Sequence, residues 1–448
     1  MTEPEMGPID DRDVVLRAVE EREVGIVQLW FTDVLGFLKS FAIPLDELPE
    51  ALEEGVSFDG SAIDGFARVQ EADVIAMPDP STFALLPWRA GTPTVARMFC
   101  DIRAPGGAPF DGDPRNVLRR AIARAADLGF TLKAGPEIEF FLFEDAHSRK
   151  PLDDGSYFDL TPLDAGSDFR RRVIAYLERL GLPAKDSHHE VAASQHEVDL
   201  RHADALTTAD SIMTFRLLVK EVAQELGVYA TFMPKPIQGA WGSGMHTHLS
   251  LFEGERNAFF DPTDEYYLSK VARSFIAGIL THAREMSAIT NQWVNSYKRL
   301  VPGYEAPVYV CWGIRNRSAL VRVPLAKPGK EASCRIEYRA PDPACNPYLA
   351  LAVILEAGVR GVENEYELPR EATDDIYRRT DMERWNDGIE SLPESLPEAL
   401  AEMQQSELVR DVLGDHLFEW FVTNKRAEWD AYRSVVTPYE LDEDLPRL

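Results

Sequence analysis

The chain has 448 residues, with 47 Lys and Arg against 75 Asp and Glu, a formal charge of −28. A chain this acidic repels phosphate backbones and anionic lipid surfaces, which argues against a nucleic-acid or membrane-surface protein. Its 45% apolar and 10% aromatic content supports a folded core, in one large domain with an appendage or in two to three ordinary domains.

In chain order, Val14–Glu21 reads as a short helix. Ile26–Phe31 and Leu38–Ile43 read as strands joined by a turn at Asp33–Gly36, and Leu45–Gly55 reads as helical. Val95–Ile102 is a further strand. The run APGGAPFDGDP, rich in Gly, Pro and Asp, marks a domain boundary, giving domains 1–108 and 109–448. Asp113 is placed as an N-cap with Pro114 at the first helical position, opening a helix to about Leu128. TLKAGPEIEFFLF and HEVDLR read as strands, Ala209–Leu226 as a helix, and MHTHLSLF and CRIEYRA as strands again. Pro347–Gly361 is a buried helix, and the last 80 or so residues are helical and acidic. The fold class is α+β. No run of 18 apolar residues occurs, and the N-terminus is acidic, unlike a signal peptide, so a cytoplasmic protein is expected. Cys100, Cys311, Cys334 and Cys345 form no CxxC pair and read as small core residues.

Residues i and i+2 of a strand share a face. Glu137 and Glu139 therefore share one, as do Glu197, Asp199 and Arg201, then His246, His248 and Ser250, then Arg335, Glu337 and Arg339. A wet outer sheet face would explain any one strand. Four strands carrying carboxylates, histidines and arginines are costly to crowd unless something balances them. Carboxylates with one or two histidines suit Mg²⁺ or Mn²⁺ better than zinc. Two such ions beside arginines suit phosphoryl transfer. No phosphate-binding GxxxxGK[ST] loop and no convincing GxGxxG turn is present.

Five colinear stretches resemble the glutamine synthetase family, type I, over about residues 12–440. They are FDGSAIDGF (58–66), GPEIEFFLF (135–143), HHEVA with QHEVDLR (188–201), MPKPIQGAWGSGMHTHLSL (233–251), and NSYKRLVPGYEAPV with RNRSALVRVP and RIEYRAPDPACNPYLA (295–350). The resemblance implies a small N-terminal β-grasp domain. It also implies a large catalytic domain whose curved antiparallel sheet forms a metal-lined funnel, with helices outside. The implied activity is ATP-dependent ligation of ammonia to the γ-carboxylate of glutamate through a γ-glutamyl phosphate.

The resemblance also implies a site. Glu139, Glu190 and Glu197 hold one Mg²⁺ or Mn²⁺, and Glu137, His246 and Glu337 a second. Arg317, Arg322 and Lys330 neutralise the transferring phosphoryl group, and His248 and Ser250 lie along ATP. Arg299 and Arg339 grip substrate carboxylates, and Gly242 approaches the amino acid. Glu305 closes the site and helps deprotonate the amine. Asp59, beside Tyr157 and Glu190, binds the amine and takes the amine's proton, completing the site of the neighbouring subunit, so a homo-oligomer, a dodecamer of two hexameric rings, is implied. His188 and His189 read as structural. Tyr377 falls near a position adenylylated in some members, although DDIYRRTDMER lacks the usual Leu-Pro-Pro.

Three departures bear on the amine. Ala62 stands for a hydroxyl residue, Trp241 for a polar one and Lys185 for an acid; the spacing from Lys330 to Glu337 is also longer by two residues. The first two changes resemble those of ligases that join glutamate to larger amines, the γ-glutamylpolyamine synthetases. That reading, and a silent paralogue acting as a metabolite sensor, are the alternatives. Residues 298–339 hold nine Lys and Arg against three acids, whereas 363–448 hold 23 acids against nine bases. The expectation is an electropositive pocket inside an acidic shell.

Overall fold

The computed structural model describes residues 11–65, 73–89, 93–160, 164–325 and 329–448. The first ten residues, Phe66 of the FDGSAIDGF stretch and Lys327 of the basic segment lie outside the described residues.

The N-terminal part runs α1 (Asp11–Glu21), β1 (Val24–Thr32), β2 (Leu38–Pro44), α2 (Leu48–Glu54), β3 (Val56–Asp59), β4 (Asp73–Pro78), β5 (Ala84–Leu85) and β6 (Thr94–Arg103). Its sheet has the order β2-β1-β6-β4-β3, with β1 and β6 parallel and β5 on β6. The expected helix at 45–55 divides, because Leu45–Glu47 forms a tight 3₁₀ turn before Pro49 opens α2. One sheet face (Val27, Leu29, Met98, Cys100) packs on α1 and α2. The other presents Trp30 and Phe99, edge to face at 5.6 Å, to the main core. The β1–β2 turn is pinned to the rest of the chain. Asn346 Nδ2 donates to the carbonyls of Asp33 and Val34, both at 3.1 Å.

The larger part runs α3 (Pro114–Asp127), β7 (Thr131–Phe143), α4 (Ser167–Arg179), β8 (Ala184–His189), β9 (Gln195–Leu200), β10 (Ala203–Asp204), α5 (Ala205–Leu226), β11 (Tyr229–Thr231), β12 (Met245–Glu253) and β13 (Arg256–Asn257). It continues with α6 (Lys270–Thr290), α7 (Ser296–Arg299), β14 (Trp312–Ile314), β15 (Val321–Val323), β16 (Ile336–Tyr338) and α8 (Pro347–Glu363). Helices α9 (Asp381–Asn386), α10 (Leu396–Gln405), α11 (Glu407–Arg433) and α12 (Pro438–Glu443) end the chain. The main path of the sheet is β14-β15-β16-β12-β7-β9-β8, antiparallel except between β14 and β15.

Asp113 caps α3 by accepting from the Arg115 amide, as its spacing from Pro114 predicts. Helix α5 starts four residues earlier than the apolar stripe suggests, because the Asp204 carboxylate accepts from the Thr207 amide. The strand expected over CRIEYRA shrinks to three residues. The Cys334 carbonyl is taken by Ser250 Oγ and Asn257 Nδ2 instead of a ladder partner. Helices α6 and α8 cross closely at Gly278, where a Cβ would lie 2.1 Å from the Ala357 oxygen. No helix among the described residues is long and apolar enough to cross a membrane.

A buried ionic network joins the two parts. Arg115 of α3 reaches Asp79, Asp101 and Asp210, and Arg119 reaches Asp79 and Asp101. Tyr348 of α8 donates to Asp210 at 2.6 Å.

Candidate active site

Strand register builds the site. His246 on β12 lies opposite Glu137 on β7, and Glu137 opposite Asp199 on β9. One rung along, Glu139 faces Glu197, which faces His188 on β8. On the other side, Arg322 on β15 faces Glu337 on β16, which faces His248 on β12. Alternation thus gathers the charged residues of six strands on one face. That face lines two adjoining cavities, of about 370 and 340 Å³, which share Glu137 and Asp199.

The first cavity is walled by Glu137, Glu139, Glu190, Glu197, His246 and Glu337, with Tyr157, Gly242, Arg299, Glu305, Arg317, Arg322 and Arg339. The second is walled by His248, Ser250 and Lys330, with Lys133, Lys185 and Arg335. Every expected site residue except Asp59 therefore lines one of the two. Asp59 stands exposed at the end of β3, its carboxylate accepting from the Ser61 amide at 2.8 Å.

Two donor clusters have the chemistry of divalent-cation sites. Glu137, His246 and Glu337 offer atoms within 4.8 Å of one another, and so do His188, Glu190 and Glu197. The second cluster differs from the expected set. His188, read as structural, brings Nε2 to 2.9 Å from Glu190 and 3.7 Å from Glu197. Glu139 is instead held by the Gln195 side-chain amide at 2.8 Å and the Gly244 amide at 3.0 Å. Burial and the nearby Glu190 push the Glu139 carboxyl up to about 8. Burial, with Glu139 and Glu137 beside it, pushes Glu197 well above the carboxylate range. The donors fit hard divalent cations, and the crowded negative charge supplies the reason to bind them.

The first cluster is steered by hydrogen bonds. Arg335 Nε donates to His248 Nδ1 at 3.1 Å, so His248 Nε2 carries a proton and donates to Glu137 at 2.7 Å. Against its burial, His246 and His248 draw Glu137 far below the usual carboxylate range. Arg322 and Arg339 both bond Glu337, yet the Nε of each is buried without a partner. Such orphaned donors in a cavity wall suit an anion. Arg299 spends its guanidinium on the carbonyls of Ala340 and Arg339, at 2.7 and 3.1 Å. Against its burial, the nearby Tyr157 hydroxyl raises the Arg317 pKa. A Cβ on Gly242 would lie 2.5 Å from the Pro234 oxygen and 2.9 Å from Arg299 Cγ, which explains glycine there.

Two supporting groups, Gln195 and Asp153, were not singled out in sequence; a third, His189, was read as structural. Gln195 joins Glu139 to the Gly242 carbonyl, at 2.8 and 3.0 Å. Its only signal is its place at the start of QHEVDLR. The buried His189 bonds Asp153 at 2.9 Å and the Glu190 carbonyl at 2.6 Å, behind the second cluster. Asp153 also receives the amide of Ser194, whose φ is +57°, fixing the turn between Glu190 and Gln195. Trp241 lines the first cavity with its ring edge-on to Tyr304 at 6.4 Å. Lys185 bonds Asp199 at 2.7 Å. The Tyr377 hydroxyl, expected as a modification position, donates to the Ala306 carbonyl at 2.6 Å.

Comparison with known proteins agrees with this geometry. Residues 23–105 match the family described as glutamine synthetase, beta-Grasp domain, and residues 111–444 match glutamine synthetase, catalytic domain. A glutamine synthetase of Mycolicibacterium smegmatis is 57% identical over 97% of this chain and 99% of its own length. One of Methanosarcina mazei is 50% identical over 98% of each. Among solved structures, a GmaS/ADP complex superposes with a TM-score of 0.88 at 34% identity, covering 96% of this chain and 99% of that one. A Plasmodium falciparum glutamine synthetase, 24% identical, shares the fold at 0.88 over 97% and 99%. The larger-amine reading drawn from Ala62 and Trp241 gains no support from these relatives. The funnel's paired acid clusters and the match over nearly the whole chain place this protein in the glutamine synthetase family.

Proposed function

We propose that the funnel joins ammonia to the γ-carboxylate of L-glutamate at the expense of ATP, through a γ-glutamyl phosphate. One observation carries this reading: two carboxylate–histidine clusters share a cavity with Arg299, Arg317, Arg322 and Arg339. Such a site takes cations and anions together, as phosphoryl transfer to a carboxylate requires.

Glu137, His246 and Glu337 would hold one divalent cation, and Glu190 and Glu197, with Glu139 and His188 beside them, another. Mg²⁺ or Mn²⁺ suits these oxygen-rich sets, and bound there would screen phosphate and carboxylate charges that otherwise repel. ATP lies along His248 and Ser250, and Lys330, Arg322 and Arg317 face its phosphates. Arg299 and Arg339, with the Gly242 backbone, orient glutamate. A γ-carboxylate oxygen bonds to the γ-phosphorus and ADP leaves. Ammonium gives a proton to Asp59 of a neighbouring copy, near Tyr157 and Glu190. Ammonia then attacks the acyl carbon and phosphate departs. Glu305 covers the site during this step, keeping water from the acyl phosphate, and assists deprotonation. The working form is a homo-oligomer, a dodecamer of two hexameric rings, in the cytoplasm. The ADP-bound GmaS relative supports the nucleotide assignment.

The test follows phosphate release with glutamate, ATP and Mg²⁺ while the amine is varied among ammonia, methylamine, ethanolamine, putrescine and spermine. Turnover with ammonia is expected. Turnover with polyamines alone would overturn the choice of amine, and no turnover with any amine would overturn the ligase reading.

A further inference from the structure

Tyr377 lies far along the chain from the funnel strands, on a single 3₁₀ turn, Ile376–Arg378. Contacts of this turn and of the residues just before it nevertheless run to both loops that border the first cavity. On one side the Tyr377 hydroxyl donates to the carbonyl of Ala306, the residue after Glu305, at 2.6 Å. Its ring packs near Tyr309, with centroids 6.2 Å apart, and the Arg384 guanidinium covers Tyr309 at 4.3 Å. On the other side, the Ile376 amide donates to Ser318 Oγ at 3.1 Å. The Asn316 side-chain amide donates to the carbonyls of Ala372 and Asp374, both at 2.8 Å. Asn316 and Ser318 flank Arg317.

The Glu305 backbone needs such support. Its φ is +53°, a conformation that non-glycine residues reach at a cost and that surrounding contacts must hold. The neighbouring donor is Arg339, 3.4 Å from the Glu305 carbonyl. The Tyr377 bond is shorter, and the hydroxyl keeps its proton: burial pushes it up to about 12.

The geometry points to Tyr377 as a positioning residue, the keystone of a brace over residues 372–378 that holds the Glu305 loop and the Arg317 loop in register across the cavity. The inference rests on the proposed role of Glu305 as the closing, proton-accepting group. Its consequence is coupling: with the brace intact, ATP cleavage and amide formation stay matched, because the loop keeps water from the acyl phosphate.

Tyr377→Phe removes only the hydroxyl and keeps the ring against Tyr309. Two readouts are taken on the full-length protein. Hydrogen–deuterium exchange without ligands should speed up at residues 303–308 by roughly five- to tenfold, the effect of losing one hydrogen bond. Exchange in α6 and α8 should not change, which reports an intact fold. In turnover, the variant should release phosphate in excess of amide formed, while ADP binding matches the parent. Unchanged exchange at 303–308 would overturn the brace. Faster exchange with phosphate and amide still matched would overturn its role in coupling. Glu305→Ala, assayed in parallel, separates the two readings. If it ligates normally, the role of Glu305 fails, whereas the exchange result still decides whether the brace exists.

Discussion

The junction around Arg115 and the funnel face around Glu139 both bury several carboxylates, and they resolve the same electrostatic problem in opposite ways. At the junction three acids have a guanidinium: Asp79 and Asp101 bond both Arg115 and Arg119, and Asp210 bonds Arg115 and the Tyr348 hydroxyl, whereas Asp113 accepts the Ile102 and Arg115 amides and is pushed by burial up to about 7. Against its burial, Ser81 and Arg115 hold Asp79 below the usual range. In the funnel, Glu139 and Glu197 have no bonded Arg or Lys among the described residues, and burial with neighbouring acids pushes both carboxyls up. Charge balanced within the fold is structure. Charge left unbalanced on a cavity wall is a demand for ligands.

Substitutions on the two sides should fail differently. The largest effect belongs to the junction. Arg115→Ala takes from Asp210 its bonded guanidinium and leaves Asp79 and Asp101 with Arg119 alone, and should lower unfolding stability by about 3–5 kcal/mol, read from urea denaturation. A loss below ~1 kcal/mol would mean that the network is as weak as an exposed ion pair. On the funnel side, Gly242→Ala pushes a methyl against the Pro234 carbonyl and Arg299. Stability should fall by about 1–3 kcal/mol, less than at Arg115, while KM for glutamate should rise roughly tenfold or more as Arg299 is displaced. If stability fell and KM held, Gly242 would serve the fold and not the substrate.

The contrast also marks what the sequence could disclose. Period-two alternation correctly put Glu137 with Glu139 and His246 with His248 on shared faces, and β7 has the bounds read from its composition. Asp113 and Pro114 announced the start of α3 in the same local way. Alternation gives a face but not a partner. That His188 would lie opposite Glu197, or that Glu139 would be held by Gln195, depends on the register of β8, β9 and β7, which long-range packing sets. Arg115 was invisible as a network centre because its three acids come from residues 79, 101 and 210, brought together only by the fold. Tyr377 drew notice as a possible modification position, and only the three-dimensional arrangement shows its hydroxyl already engaged.

The central claim, that Glu139 and Glu197 are unbalanced until cations bind, is tested most directly by thermal unfolding of the parent and Glu197→Gln, each in chelator and in Mg²⁺ or Mn²⁺. Metal should raise the parent's midpoint. Glu197→Gln should be at least as stable as the parent in chelator, because one repelling charge is gone, and should gain little from metal. A parent midpoint indifferent to metal, or a variant that loses stability in chelator as a junction mutant would, contradicts that claim.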